Sequence, residues 1–207
     1  VAAYERNREA ADGENKYIIH CMNTDKLCIF TDKGQLHIVK LLDLPYGKFR
    51  DKGTPLDNVS NYDSNEENIV YINCLGNLLG RHLLFVNSQG MLKVVDGEEF
   101  DVSKRTTAAT KLNQDEKLLT VQMLSETEGE SIVLQTEKGM YLRFLAADIP
   151  KKKKGAIGVR GMKITPLDQL KAVFLLGQEE KTIIENDRQI MLHRLRIASR
   201  DQKGVKK

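Results

Sequence analysis

The residues of this chain best placed to do chemistry are its cations, and they are grouped. Lys151, Lys152, Lys153, Lys154, Arg160 and Lys163 follow one another with no acid among them, and from Arg188 to Lys207 seven Lys or Arg residues stand against one acid, Asp201. Smaller groups lie earlier, at Lys48, Arg50 and Lys52 and at Lys104, Arg105 and Lys111. Acids collect elsewhere, as in Asp63, Glu66 and Glu67, or Glu126, Glu128 and Glu130. The formal net charge is only +3, yet segregated basic surface attracts a polyanion at long range whatever the total. The chemistry implied is electrostatic. The bland reading of each charge run is a solvated loop.

Covalent and metal chemistry find little support. His20 and His37 are near in sequence but match no ligand spacing, so no metal is expected. Gly155-x-x-Gly158-x-x-Gly161 lacks the G-x-G-x-x-G spacing and the G-K-[ST] ending of nucleotide loops, and reads as a turn-rich loop. No Ser/His/Asp arrangement can be assembled. None of the six tyrosines has the basic setting of a strand-cleaving nucleophile. Tyr17, Tyr71 and Tyr141 are assigned to strands; Tyr46, in a basic loop, could stack on a nucleotide but is expected to pack over a neighbouring unit. Three cysteines, Cys21, Cys28 and Cys74, give no CxxC pair. That disfavours a disulfide framework and fits a reducing cytoplasm, with Cys21 and Cys28 in apolar, strand-like runs. No apolar stretch approaches a membrane span and no signal pattern is visible. The start at Val1 and the basic end at Lys207 read as cut points in a longer protein.

The elements that must position the cations recur. With 207 residues, 41% of them hydrophobic, the chain can bury one core or several serial ones. Apolar runs at 27–30, 83–86, 132–134 and 182–184 each meet a polar turn and then a second, alternating strand. The turns are Thr31-Asp32-Lys33-Gly34, Asn87-Ser88-Gln89-Gly90, Thr136-Glu137-Lys138-Gly139 and Glu185-Asn186-Asp187-Arg188. This is hairpin chemistry, with glycine supplying positive φ; in the fourth turn Asn186 or Asp187 takes that role. The turn positions are 56, 49 and 49 residues apart. Basic loops keep step. Gly53, Ala109 and Gly158 each lie 19 residues after a turn glycine, and Gly204 lies 16 after Arg188. Further strands follow at 69–72, 118–121 and 172–175. A period near fifty with several short strands predicts an all-β, propeller-like array of about four units, bounded near 17–75, 76–125, 126–178 and 179–207. The absence of Trp argues against a WD40 propeller. Only residues 1–14 have helical composition; residues 1–16 are either the end of a preceding repeat or a linker.

The succession of apolar strand, T-x-x-G turn, strand and basic loop with G-V-R resembles the C-terminal repeats of the DNA gyrase and topoisomerase IV A subunits. Thr136 to Gly139 followed by Gly158-Val159-Arg160-Gly161, and Lys203-Gly204-Val205-Lys206, carry the likeness, which covers the chain from about Ile18 onward. The first unit, with Leu44-Pro45-Tyr46-Gly47-Lys48-Phe49-Arg50-Asp51-Lys52-Gly53, is similar to the topoisomerase IV branch. The resemblance implies a β-pinwheel whose units exchange strands and whose basic rim bends duplex DNA. It implies a non-catalytic domain of a cytoplasmic, nucleoid-associated type IIA topoisomerase. The partners would be the B subunit of a heterotetramer and the catalytic core of the A subunit, with ATP and Mg acting elsewhere and no cofactor here. The gyrase box Gln-Arg-Arg-Gly-Gly-Lys-Gly has no match; Lys152-Lys153-Lys154-Gly155-Ala156-Ile157-Gly158 is its nearest counterpart. DNA-contacting cations are expected at Lys48, Arg50, Lys52, Lys104, Arg105, Lys111, Lys151, Lys152, Lys153, Lys154, Arg160, Lys163, Arg200, Lys203 and Lys206. The alternative is a propeller-like scaffold whose basic loops grip an acidic protein.

Overall fold

Short apolar runs punctuated by turns become antiparallel strands. The computed structural model describes Gly13, residues 15–48 and residues 51–207; the helical composition at 1–14, Gly13 apart, lies outside them. Three units each supply a hairpin and a third strand. These are β1 (Lys26–Thr31), β2 (Gln35–Lys40) and β3 (Ile69–Cys74), then β4 (His82–Asn87), β5 (Met91–Asp96) and β7 (Leu118–Met123), then β8 (Ser131–Thr136), β9 (Met140–Leu145) and β11 (Leu170–Leu176). Short strands β6 (Thr106–Ala108), β10 (Val159–Arg160) and β14 (Val205–Lys206) each leave their own unit and pair with the hairpin of the one before. The resulting sheets are ordered β3-β1-β2-β6, β7-β4-β5-β10 and β11-β8-β9-β14. Strands β12 (Thr182–Glu185) and β13 (Arg188–Met191) form a two-stranded sheet. Apart from Gly13, helix among the described residues is confined to single turns, including α1 (Leu56–Val59) and α2 (Leu75–Leu78).

The turns follow the expected chemistry, with one difference. Gly34, Gly90 and Gly139 have φ of +72°, +76° and +77°, and each amide closes the turn on the carbonyl three residues back. In the fourth hairpin Asn186 and Asp187 both take positive φ, 48° and 60°, and Glu185 pairs directly with Arg188. This is a tighter two-residue loop in which Arg188 is already strand.

The core is serial. Side chains alternate across each strand, so Cys28 and Phe30 of β1 join Leu83 and Phe85 of β4, while Leu84 and Val86 turn the other way to meet Ile132 and Leu134 of β8. Phe100 plugs the first interface, its ring 5.0 Å from Phe30 and 5.6 Å from Phe85. Val133 and Tyr141 pack on Ile190 and Leu192 of the fourth hairpin region. The free face of the first sheet (Leu27, Ile29, Val39) is covered by Leu44, Leu56 and Tyr62 from its own loop. Each sheet thus lends one face to each neighbour, the stacking expected of units unable to bury their own apolar surface.

Two sequence expectations are corrected. Tyr17 and Cys21 lie outside any strand and are exposed, whereas Cys28 and Cys74 are buried. Ala109 is not the counterpart of Gly158. Thr107, Val159 and Val205 face Leu36, Leu92 and Tyr141, two residues past their turn glycines, which makes Thr106, Gly158 and Gly204 equivalent. Ala109 instead matches Gly161, since both amides bond to the preceding unit's turn glycine, Gly34 and Gly90, at 2.8 Å. A constant glycine offset does not align the loops, because the third unit's loop is three residues longer than the second's, and those residues belong to the lysine-rich segment.

Candidate nucleic-acid interface

Strand exchange sets where the later cations fall, because the second, third and fourth basic loops must each run along the edge of the preceding sheet to reach their pairing sites. The loops dock at matched rungs. The carbonyl of Arg105 accepts from the Ile38 amide at 2.8 Å, that of Pro150 from Val94 at 3.2 Å, and that of Arg143 from Ala198 at 2.8 Å. Ile38, Val94 and Arg143 all stand four residues past their turn glycine. Arg160 and Lys206 then face Met91 and Met140, again at one rung. Lys111 and Lys163 follow β6 and β10 at equivalent places. Glycine is required where the third and fourth loops turn into these strands. Gly158 has φ +96° and Gly204 φ +76°, and a Cβ on either would strike the carbonyl of Leu92 or Tyr141.

Neighbouring loops also touch. Met162 bridges to Gln202, the Lys163 amide donates to Gln202 at 2.9 Å and that of Asp201 to Gly161 at 2.7 Å. Arg200 donates from Nη1 to the Arg160 carbonyl at 2.9 Å and from Nε to that of Asp148 at 3.1 Å. Lys111 and Ile157 line one cleft. A wider opening of about 670 Å³ beside β9 has Arg143, Arg196 and Lys203 on its walls. The loop segments carrying Lys104 to Lys111, Lys151 to Lys163 and Arg200 to Lys206 therefore run along the same edge of successive sheets. Arg196, on the wall of that opening, is also exposed; its place, just before the segment that docks on β9, becomes visible only once the ladder is known.

The edge is not uniformly free. Arg160 makes a two-point ion pair with Asp201, its second contact at 3.1 Å, and the guanidinium holds the Asp201 carboxyl below its ordinary range. Lys153 bonds Glu99 at 2.8 Å and Lys154 donates to the Glu99 carbonyl at 3.1 Å. Lys151 and Arg105 stand loosely by Asp96 (3.6 Å) and Asp43 (3.9 Å). Lys52, Lys104, Lys111, Lys152, Lys163, Lys203 and Lys206 are exposed, and none is among the ion pairs of the described residues. Lys48 and Lys52 sit in the first unit's loop, which covers its own sheet; Arg50 lies outside the described residues. Tyr46 is 96% exposed, not packed over a neighbour as expected. His37 is committed internally, with Nε2 2.6 Å from Glu67 and Nδ1 3.0 Å from the Thr106 hydroxyl. Burial pushes the Cys28 thiol up to about 12, which makes it a poor nucleophile at neutral pH.

The family described as "DNA gyrase C-terminal domain, beta-propeller" matches residues 81–125 and 130–176, the second unit and most of the third. Over those residues the chain is similar to the DNA gyrase C-terminal domain family. The DNA gyrase A protein of Lawsonia intracellularis is 28% identical over 88% of the chain, and that of Haloquadratum walsbyi 27% over 94%. The chain spans about a quarter of those relatives' length, 23% and 24%. In fold it is similar to the C-terminal domain of DNA topoisomerase IV, with a TM-score of 0.82, 22% identity, and 97% of this chain and 67% of that one covered. The DNA gyrase A C-terminal domain gives 0.65 at 18% identity, covering 89% and 60%. The strand-exchanged sheets are the β-pinwheel variety of propeller that the sequence led us to expect.

Proposed function

We propose that the chain binds duplex DNA without sequence specificity along its basic edge and bends it there, serving strand passage by the A subunit of a type IIA topoisomerase. The observation that carries this reading is the repetition of cations at matched rungs of one edge, Arg160 with Lys206 and Lys111 with Lys163, with the third and fourth loops in contact. Cations so spaced neutralise successive phosphates of one duplex, fixing its path while reading little sequence. Elastic bending costs on the order of 1–6 kcal/mol for a modest arc, which added phosphate contacts offset. The domain would do no chemistry itself; ATP and Mg would act elsewhere in the parent enzyme. Its partners would be the B subunit of the heterotetramer and the catalytic core of the same A subunit, in the bacterial cytoplasm at the nucleoid. The topoisomerase IV branch is preferred to gyrase, because the chain has no Gln-Arg-Arg-Gly-Gly-Lys-Gly box; Lys152-Lys153-Lys154-Gly155-Ala156-Ile157-Gly158, the nearest approach, lacks the Gln, both Arg residues and the paired glycines.

Competition between long and short duplexes tests the reading. Bending along an edge rewards length, so per-site affinity should rise with duplex length until the edge is spanned. Affinity indifferent to length would instead favour an acidic protein as the partner.

A further inference from the structure

Lys93 lies on β5 with 1% of its surface exposed. Its Nζ donates to the carbonyls of Lys154 and Ala156, each at 2.6 Å, and more weakly to Lys153 at 3.4 Å. The Phe85 ring lies 5.8 Å away on its other side. An ammonium taken from water needs compensating partners, and here main-chain oxygens of the lysine-rich loop supply them. Backbone bonds fix that loop at its two ends, Lys152 to Val94 at 2.8 Å and Gly161 to Gly90 at 2.8 Å. Between those ends, Lys93 fills the inside of the turn. With the carbonyls drawn inward, Lys152 and Lys153 are left exposed.

We propose that Lys93 is a positioning residue for DNA. Its ammonium winds residues 153–156 around itself and so presents Lys152, which has no carboxylate partner among the described residues, to the phosphate backbone, without touching DNA. This rests on the DNA-binding reading above. The charged groups around it are Glu99 from the turn after β5, Lys153 and Lys154 of the loop itself, and Lys111 across the cleft. Burial pushes the Lys93 amine down to about 8, against a smaller upward pull from Glu99. The amine is therefore charged at pH 7 and largely neutral at pH 9. Neutral, it has one proton fewer to donate and no charge for the carbonyl dipoles to hold.

The test uses the 207-residue chain with Lys93→Met and Lys93→Gln, a fixed-length duplex, and amide hydrogen exchange. The methionine variant should bind about three- to tenfold more weakly at low salt, the worth of roughly one displaced phosphate contact. The Lys152 and Ala156 amides should exchange faster in it. Parent affinity should fall severalfold from pH 7 to pH 9 while both variants stay flat, a profile that lost packing alone would not give. That pH series needs no substitution, so it decides even where the methionine variant fails to fold. Parent binding that is absent would overturn the DNA reading, and this role with it. Parent binding that is present but pH-independent, with variants matching it in affinity and exchange, would overturn the role of Lys93 alone.

Discussion

His37 and Lys93 occupy the same rung of consecutive sheets, three residues past the turn glycine, and both are buried, 4% and 1% exposed. His37 is closed off by side chains. Glu67 of the covering loop takes one ring nitrogen, and Thr106 of the exchanged strand takes the other while also accepting from Asn61 at 2.9 Å. Among the described residues Lys93 meets no side-chain acceptor within bonding distance, only carbonyls of a loop. The third sheet puts Leu142 at that rung and holds its loop from the next one, where Arg143 donates to His193 at 2.6 Å and Leu195 at 3.3 Å. One backbone plan thus supports different fastenings. A side-chain network ties a loop into the core, whereas a lone cation shapes a loop that stays solvent-facing. The first loop serves the fold, and the third is left available for a ligand.

The contrast can be broken in order of effect. Glu67→Leu should cost about 1–3 kcal/mol in urea unfolding, because it strands a buried ring nitrogen. Thr106→Val should cost about 1 kcal/mol, the worth of one net hydrogen bond. Lys93→Met should change stability at pH 7 by less than about 1 kcal/mol, since removing the desolvated charge offsets the lost bonds. The same variant tests linkage. The folded amine titrates near 8 and the unfolded one near its ordinary value of about 10.4. Between those values the unfolded chain binds the extra proton, so parent stability gains from this group as pH rises through that window. Lys93→Met should lose that gain. The smallest effect is expected of Asp201→Asn, which releases Arg160 from its exposed ion pair; DNA affinity should rise about twofold, as the energies of surface pairs suggest. A fall would mean that Asp201 organises the edge.

Hairpins, serial stacking and turn chemistry were readable because they depend on local rules. Glycine must sit where φ is positive, and Asn186 and Asp187 replace it where both central residues need that region. The pairing partner of each basic loop was not readable from spacing, since a glycine offset of 19 does not say which residues form a ladder. That is why Ala109 was misaligned with Gly158. The resemblance implied strand exchange; its register came only from the coordinates. The burial of Lys93 is not legible in the sequence, for a physical reason. Leu92-Lys93-Val94 reads as alternation with one wet face, but the second sheet is covered on both faces, so a polar residue there is buried. Carboxylates opposite Arg160 and Lys153 likewise come from segments 41 and 54 residues distant, beyond any local pattern.

The claim on which the functional account rests is that one edge of the stacked sheets forms a phosphate track. The slope of log affinity against log salt measures this most directly. It should be taken for the parent chain, for Lys163→Gln with Lys203→Gln, and for Lys171→Gln with Lys181→Gln at the opposite edge of the third sheet. The account predicts a steep parent slope, shallower by about 0.9 for each phosphate contact removed at the basic edge, and unchanged for the opposite pair. A flat parent slope, or equal losses from both pairs, would contradict it.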